Sequence, residues 1–347
     1  MTGAEVTPGP SRWRWCLAMA LLALIYVGQS ANYVRTLVPS GDMIEYLVAG
    51  RLAVTGQINL YDDRLPGNRP PLPFYVLGLS QLSGPSLLLA RWTNVGIGVL
   101  TLLLTAGLAR RLGGEGSGVL AGLFFVTQGV VVSGYASEGY FSFGALCFML
   151  AVVILFGGDS AGRRALGALA TAGLFFVRSN LWPAIPFLLV WALWRAKGLR
   201  ERVLLTGLVV LPPLLFFAWD QRHLKLLAYV PLARRLVVPL GYVSALELDD
   251  RKALPLAANL FEAARLVRRH EFWVLAMLSL AAFLMWRVVV GRPALRGGMD
   301  ARVTALASFF CYMLGIQFVI YYWNWGWIMG YFLLLAPLVP LLLGLGF

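Results

Sequence analysis

Asp42, Glu45 and Tyr46 stand at i, i+3 and i+4, so a helix through them puts two carboxyls and a phenol on one face. Gly41 precedes the first acid and lets a ligand approach the backbone. Ionisable groups beside a bilayer are costly, and acids at a membrane face default to functional sites. Asp42 can also cap the helix that it opens. Further along, Arg69 is followed by Pro70 and Pro71, whose fixed φ angles hold its charge at a set height over the membrane. Glu138, in Ser137-Glu138-Gly139-Tyr140, opens an apolar run, where a helix macrodipole would also favour an acid. Arg178, in Arg178-Ser179-Asn180, interrupts another apolar run. Trp325 lies in Trp323-Asn324-Trp325-Gly326-Trp327, a ring-rich turn that the ordinary interfacial belt would also explain.

The elements that must position these residues are membrane helices. The 347 residues are 59% apolar and 13% charged, with a mean hydropathy of +0.75. A soluble domain carries roughly 25% charged residues, so a soluble enzyme is excluded. Apolar runs at 15–33, 85–109, 119–134, 140–156, 165–177, 182–194, 203–219, 272–290, 303–322 and 328–346 predict an all-α bundle of ten transmembrane helices. The net charge of +13 sits in the connections, where its counterpart is anionic lipid. Arg12/Arg14, Arg110/Arg111, Arg163/Arg164, Arg195–Arg202 and Arg287–Arg302 all fall on one side for ten passes. By the positive-inside rule that side is the cytoplasm of a plasma (inner) membrane, and both termini lie in it. The halves of 165–194 are short for a span that needs roughly 20 residues. The break at Arg178 nevertheless predicts two short spans inside the bundle.

The outer side then holds two large segments, 34–84 and 220–271, within one integral membrane domain over 1–347 and no separate soluble domain. In the first, apolar positions 43, 44, 47, 48 and 52 predict an interfacial helix, and 73–82 predicts a second. In the other segment, 255–269 reads as an amphipathic helix over the bundle. Cys16, Cys147 and Cys311 lie singly in apolar runs, so neither a disulfide nor a metal site is expected from them.

The order Gly41-Asp42-x-x-x-Tyr46, then Gly56-x-x-x-Leu60-Tyr61-Asp62, then Arg69-Pro70-Pro71-Leu72-Pro73-Phe74-Tyr75 resembles the first periplasmic loop of the GT-C membrane glycosyltransferases. It is most similar to the protein-mannosyltransferase/aminoarabinose-transferase-like group, with some similarity to glycosyltransferase family 87. The likeness runs through Leu89-Ala90-Arg91-Trp92 and Ala109-Arg110-Arg111-Leu112-Gly113-Gly114, over about the first 200 residues. It implies a GT-C-like bundle and an inverting transfer of sugar from a polyprenyl-phosphate-sugar donor to a glycan, lipid or protein acceptor at the extracytoplasmic face. It implies that Asp42 is the general base, taking the proton of the acceptor hydroxyl. The leaving lipid phosphate needs a cation rather than a strong acid, and Arg69 and Arg178 are the candidates. Glu45 and Tyr46 share the face of Asp42 as substrate-binding residues. Glu138 could bind sugar hydroxyls, orient Arg178, or share a divalent cation with Asp42, although two acids are a thin ligand set. Trp325 offers a ring to the sugar. Gly330 stands where the family places an Arg before its C-terminal Tyr.

Two other classes compete: a transporter or flippase of a lipid-linked substrate, and a non-catalytic GT-C-like subunit. Transporters show internal repeats and charges near the midplane, whereas this chain has no repeat and its charges collect at one face. An intact Asp42 speaks against a subunit without activity. With no phosphate-binding glycine loop in the required context, a nucleotide-fuelled mechanism is not expected, and basic residues placed in the connections between apolar runs point to lipid rather than to a nucleic-acid partner.

Overall fold

The computed structural model describes residues 12–39, 41–61, 69–220, 222–224, 226, 280, 298–317 and 328–346, with residues 12, 41, 42, 298–300 and 328–331 described in backbone only. Among the described residues the chain is helical, with no strand. Among the described residues three helices are long and apolar enough to cross a bilayer: Trp13–Thr36 of α1 (Arg12–Thr36), α4 (Leu87–Gly113) and α10 (Leu199–Trp219). Exposed leucines along them, such as Leu21, Leu100 and Leu214, suit a lipid surround.

Between α1 and α4 lie α2 (Gly41–Val54) and α3 (Leu72–Leu79), where the apolar pattern predicts two helices; α3 stops three residues before the expected 82. Gln81 ends it: its Nε2 donates to Ser80 Oγ at 2.8 Å and its Oε1 accepts from Ser86 N at 2.8 Å, joining α3 to the start of α4. Ser86 then caps α4 by accepting from Leu89 N at 3.1 Å. α2 and α3 cross with their backbones in contact. A Cβ on Gly50 would lie 2.1 Å from the Phe74 carbonyl oxygen, and one on Gly78 would lie 2.3 Å from the Gly50 carbonyl carbon.

The expected single span 119–134 is two helices, α5 (Glu115–Val126) and α6 (Gly129–Tyr135), bent by 70°. Thr127 Oγ1 donates to Phe124 O at 3.1 Å and Gly129 follows, so local hydrogen bonding and a poor helix former coincide at the bend. After α7 (Phe141–Phe156), the break expected near Arg178 is present. α8 (Ala161–Gly173) runs into 3-10 turns at Leu174–Phe176 and Ser179–Leu181, and α9 (Ala184–Arg195) returns. Asp159, just before α8, is ion-paired with Arg195 at the end of α9, so both halves meet again at one end. The two halves are not enclosed as expected: Leu166 is 54% exposed, and Val190 and Trp194 are each 65% exposed. Their apolar composition serves lipid on one face and protein on the other.

α11 (Gly298–Ile316) covers part of the expected span 303–322. The expected span 328–346 is split into α12 (Ile328–Leu335) and α13 (Leu338–Gly344). Pro337 has no N–H for the Leu333 carbonyl four residues back. The Tyr135 hydroxyl donates to that carbonyl instead, at 2.6 Å. The expected span 272–290 (except Leu280) and the helix 255–269 lie outside the described residues.

The described basic residues of the connections expected to be cytoplasmic gather at one end. Arg110 stacks over Trp15 at 4.5 Å, Arg163 Nη1 donates to Gly157 O at 2.9 Å, and Arg164 pairs with Glu201 at 2.6 Å. Asp159 takes both Arg195 and Arg302.

Replacing Gly50 by Val should separate α2 from α3, an overpacking cost of about 1–3 kcal/mol. Thermal unfolding of the purified protein should fall by several degrees, while Gly28→Ala, whose Cβ would meet nothing within 4 Å, should leave it unchanged. Equal melting of the two variants would show that the crossing does not hold the segment.

Candidate active site

The opposite end of the bundle is organised from α4. Arg91 and Asn94 are one turn apart, 3% and 0% exposed. Arg91 Nε and Nη2 approach Glu138 Oε2 at 2.9 and 2.8 Å, while Nη1 donates to Val34 O and Nη2 to Leu37 O, both at 2.9 Å. Asn94 Nδ2 donates to Ser137 O at 2.7 Å and Gly139 O at 2.8 Å, and its Oδ1 accepts from Ser142 Oγ at 2.9 Å. Together they fix the Ser137-Glu138-Gly139-Tyr140 segment. Gly139 is in turn covered by Met43 of α2: a Cβ there would lie 2.6 Å from the Met43 sulfur.

Tyr46 is the centre of the site. It is 1% exposed and packs on Phe74 at 4.4 Å and on Tyr140 at 5.2 Å between ring centroids. Two guanidiniums converge on it. Arg69 Cζ stands 5.2 Å from its ring centroid, and Arg178 donates to its hydroxyl. Arg178 also stacks over Tyr140 at 4.3 Å, a cation–π contact. Glu45 accepts from Arg69 Nη1 at 2.5 Å. The Tyr61 hydroxyl donates to the Arg69 carbonyl at 3.3 Å, and Tyr61 meets the His223 ring edge-on at 4.7 Å. Burial raises the Tyr61 phenol above its ordinary value, so it remains a donor. Next to His223, hydrogen bonds from the Arg222 side chain and backbone hold the Asp220 carboxyl down at about 2.

The structure therefore brings together Glu45, Tyr46, Arg69 and Arg178, four of the residues singled out by sequence. Asp42 is in the first turn of α2, on the face that helical spacing gives to Glu45 and Tyr46; its side chain lies outside the described residues. Trp325 lies outside them too. Glu138, 2% exposed, is bound to Arg91 across the bundle. Arg91 and Asn94 were missed as positioning residues. The signal was present, since a guanidinium and an amide one turn apart inside an apolar run demand partners. Among the described residues no three His, Cys, Asp or Glu side chains come together to hold a metal. The cation that Asp42 and Glu138 could share falls partly outside the described residues.

This arrangement can hold an anion against paired guanidiniums beside an acid-bearing helix. The chain is similar to ArnT from Cupriavidus metallidurans, in a crystal structure bound to undecaprenyl phosphate, with a TM-score of 0.58 and 15% identity. The likeness covers 96% of this chain and 60% of ArnT, and at that identity it is a likeness of fold. No protein-family model and no curated protein sequence matches the chain.

Removing one partner of a buried ion pair leaves the other charge stranded, at about 3–5 kcal/mol. Glu138→Leu should therefore destabilise strongly, and Arg91→Met likewise. The double variant should cost clearly less than the sum, because no stranded charge remains. A double-mutant cycle by chemical unfolding checks this, and additive losses would show that the two side chains are not coupled.

Proposed function

We propose that this protein is an inverting glycosyltransferase that moves a sugar from a polyprenyl-phosphate-sugar donor to an acceptor at the extracytoplasmic face of the inner membrane. The observation that carries this reading is the convergence of Arg69 and Arg178 on Tyr46, one helical turn from Asp42, in a fold shared with a protein bound to undecaprenyl phosphate. The lipid phosphate sits between the two guanidiniums. Asp42 takes the proton of the acceptor hydroxyl as its oxygen attacks the anomeric carbon from the face opposite the phosphate. The new glycosidic bond forms as the bond to phosphate oxygen breaks, and a single displacement inverts the configuration. The departing phosphate carries away the electron pair, and the guanidiniums stabilise that charge. Glu45 keeps Arg69 in place, and Tyr46 braces Arg178. Glu138 acts through Arg91 on the segment that carries Tyr140. Trp325 lines the sugar. The basic residues gathered at the other end support a cytoplasmic assignment of that end, with ten passes and both termini inside.

The test is transfer from a panel of sugar-bearing undecaprenyl phosphates by the purified protein. Asp42→Asn keeps size and polarity but removes the base, and should lower kcat by about 10²–10⁴-fold. Arg178→Met should instead weaken donor binding, raising KM, with bare undecaprenyl phosphate losing affinity in parallel. Undiminished transfer by Asp42→Asn would remove that residue from the chemistry. Movement of labelled lipid across a vesicle bilayer without transfer would favour a flippase.

A further inference from the structure

Two buried amides, one of them two residues along the chain from Arg178, have bonding capacity to spare. Asn180, in the 3-10 turn between α8 and α9, is 1% exposed, and neither its Oδ1 nor its Nδ2 makes a hydrogen bond among the described residues. Gln317, one residue beyond α11, is 2% exposed. Its Nε2 donates to the Asn180 carbonyl at 2.8 Å, and its Oε1 has no donor among the described residues. Three orphan polar atoms from two separate elements thus lie around one backbone carbonyl. Buried amide atoms are almost always paired, and leaving them unpaired in an apolar bundle is costly. The turn is also fixed from outside: Trp182 Nε1 donates to Phe175 O and the Tyr312 hydroxyl donates to Pro183 O, both at 3.0 Å. The backbone of the turn and one end of Gln317 are thus held in place, while three amide atoms between them go unsatisfied.

From this we infer that Asn180 and Gln317 form the subsite for the sugar of the donor, and that this sugar is a neutral, hydroxylated one. The inference rests on the glycosyltransferase reading above. Two of the orphan atoms accept and one amide donates, which matches adjacent sugar hydroxyls: two O–H groups reach Asn180 Oδ1 and Gln317 Oε1, and a sugar oxygen takes Asn180 Nδ2. An amino sugar would bring an ammonium, which requires a carboxylate. The acids whose side chains are described at this end, Glu45, Glu138 and Asp220, are already bound by Arg69, Arg91 and Arg222. The subsite lies two residues from Arg178, so the phosphate and the sugar it bears would be read by one short turn.

The experiment measures dissociation constants of the purified full-length protein in lipid nanodiscs for three kinds of probe. These are bare undecaprenyl phosphate, the same lipid bearing mannose, glucose or galactose, and the same lipid bearing a 4-amino sugar. Wild type should bind at least one hexosyl lipid about tenfold or more tighter than the bare and amino-sugar lipids. Asn180→Leu and Gln317→Met should each bring that hexosyl lipid to within about threefold of the bare lipid, with affinity for the bare lipid unchanged. If Asn180→Leu does not fold, Asn180→Ser reads the same ratio. Variants that keep the wild-type ratio, or lose both lipids equally, would overturn the subsite and leave the amides as a packing feature that water fills. A wild-type preference for the amino sugar, or none between hexosyl and bare lipid, would overturn it too. Wild type that binds no probe would instead sink the glycosyltransferase reading, and the subsite with it.

Discussion

Arg91 leaves α4 inside an apolar bundle, where no bulk water completes its hydrogen bonds, so its N–H groups must find protein acceptors. They find three, from two parts of the chain: the Glu138 carboxylate, and the carbonyls of Val34 and Leu37 at the end of α1. Those carbonyls belong to a helix C-terminus, which lacks partners and carries a negative partial charge. One cation therefore neutralises an acid, closes a helix end and ties α1, α4 and the approach to α7 together. Asn94, one turn further on, grips the same approach through two more carbonyls. Tyr140 is delivered by that fixed segment, and Tyr46 packs on Tyr140. The placement of the two convergent guanidiniums thus depends on a charge that never touches them.

Opposing it is the α2–α3 pair, whose contact at Gly50 and Gly78 leaves no side chain between the backbones. Close backbone contact makes the pair a rigid unit, so Glu45 and Tyr46 on one helix keep a constant relation to Arg69 just before the other. Tyr61 adds a hold on the Arg69 carbonyl from the loop. Catalytic geometry needs such support, because a small misplacement of a positioned group is expensive in rate.

What could be read from the chain and what could not divides by range. The break at Arg178 was legible because Ser179, Asn180 and Pro183 interrupt an apolar run locally, and the clustering of arginines followed from charge counts in short connections. The grouping of Asp42, Glu45 and Tyr46 on one helix face follows from spacing alone. The partner of Glu138 was not legible, since Arg91 lies 47 positions away and only packing selects it. The 70° bend after α5 was hidden because one apolar run looks continuous whether straight or bent. Pro337 sits inside the run read as one span over 328–346, so neither the split between α12 and α13 nor the service of Tyr135 to the carbonyl that it strands was foreseen. The amides of Asn180 and Gln317, 137 positions apart, likewise meet only in three dimensions.

α9 has 12 residues, and at 1.5 Å per residue it reaches about 18 Å, well under the roughly 30 Å of a bilayer's hydrocarbon. Val190 and Trp194 face outward from it, so lipid must meet this short helix directly. Such a mismatch is relieved by thinning of the bilayer around the short element. Headgroups and water then dip toward the turn that carries Arg178. Under the proposed function, that dip is the path by which the donor's phosphate would reach Arg178 sideways, its lipid tail staying in the leaflet.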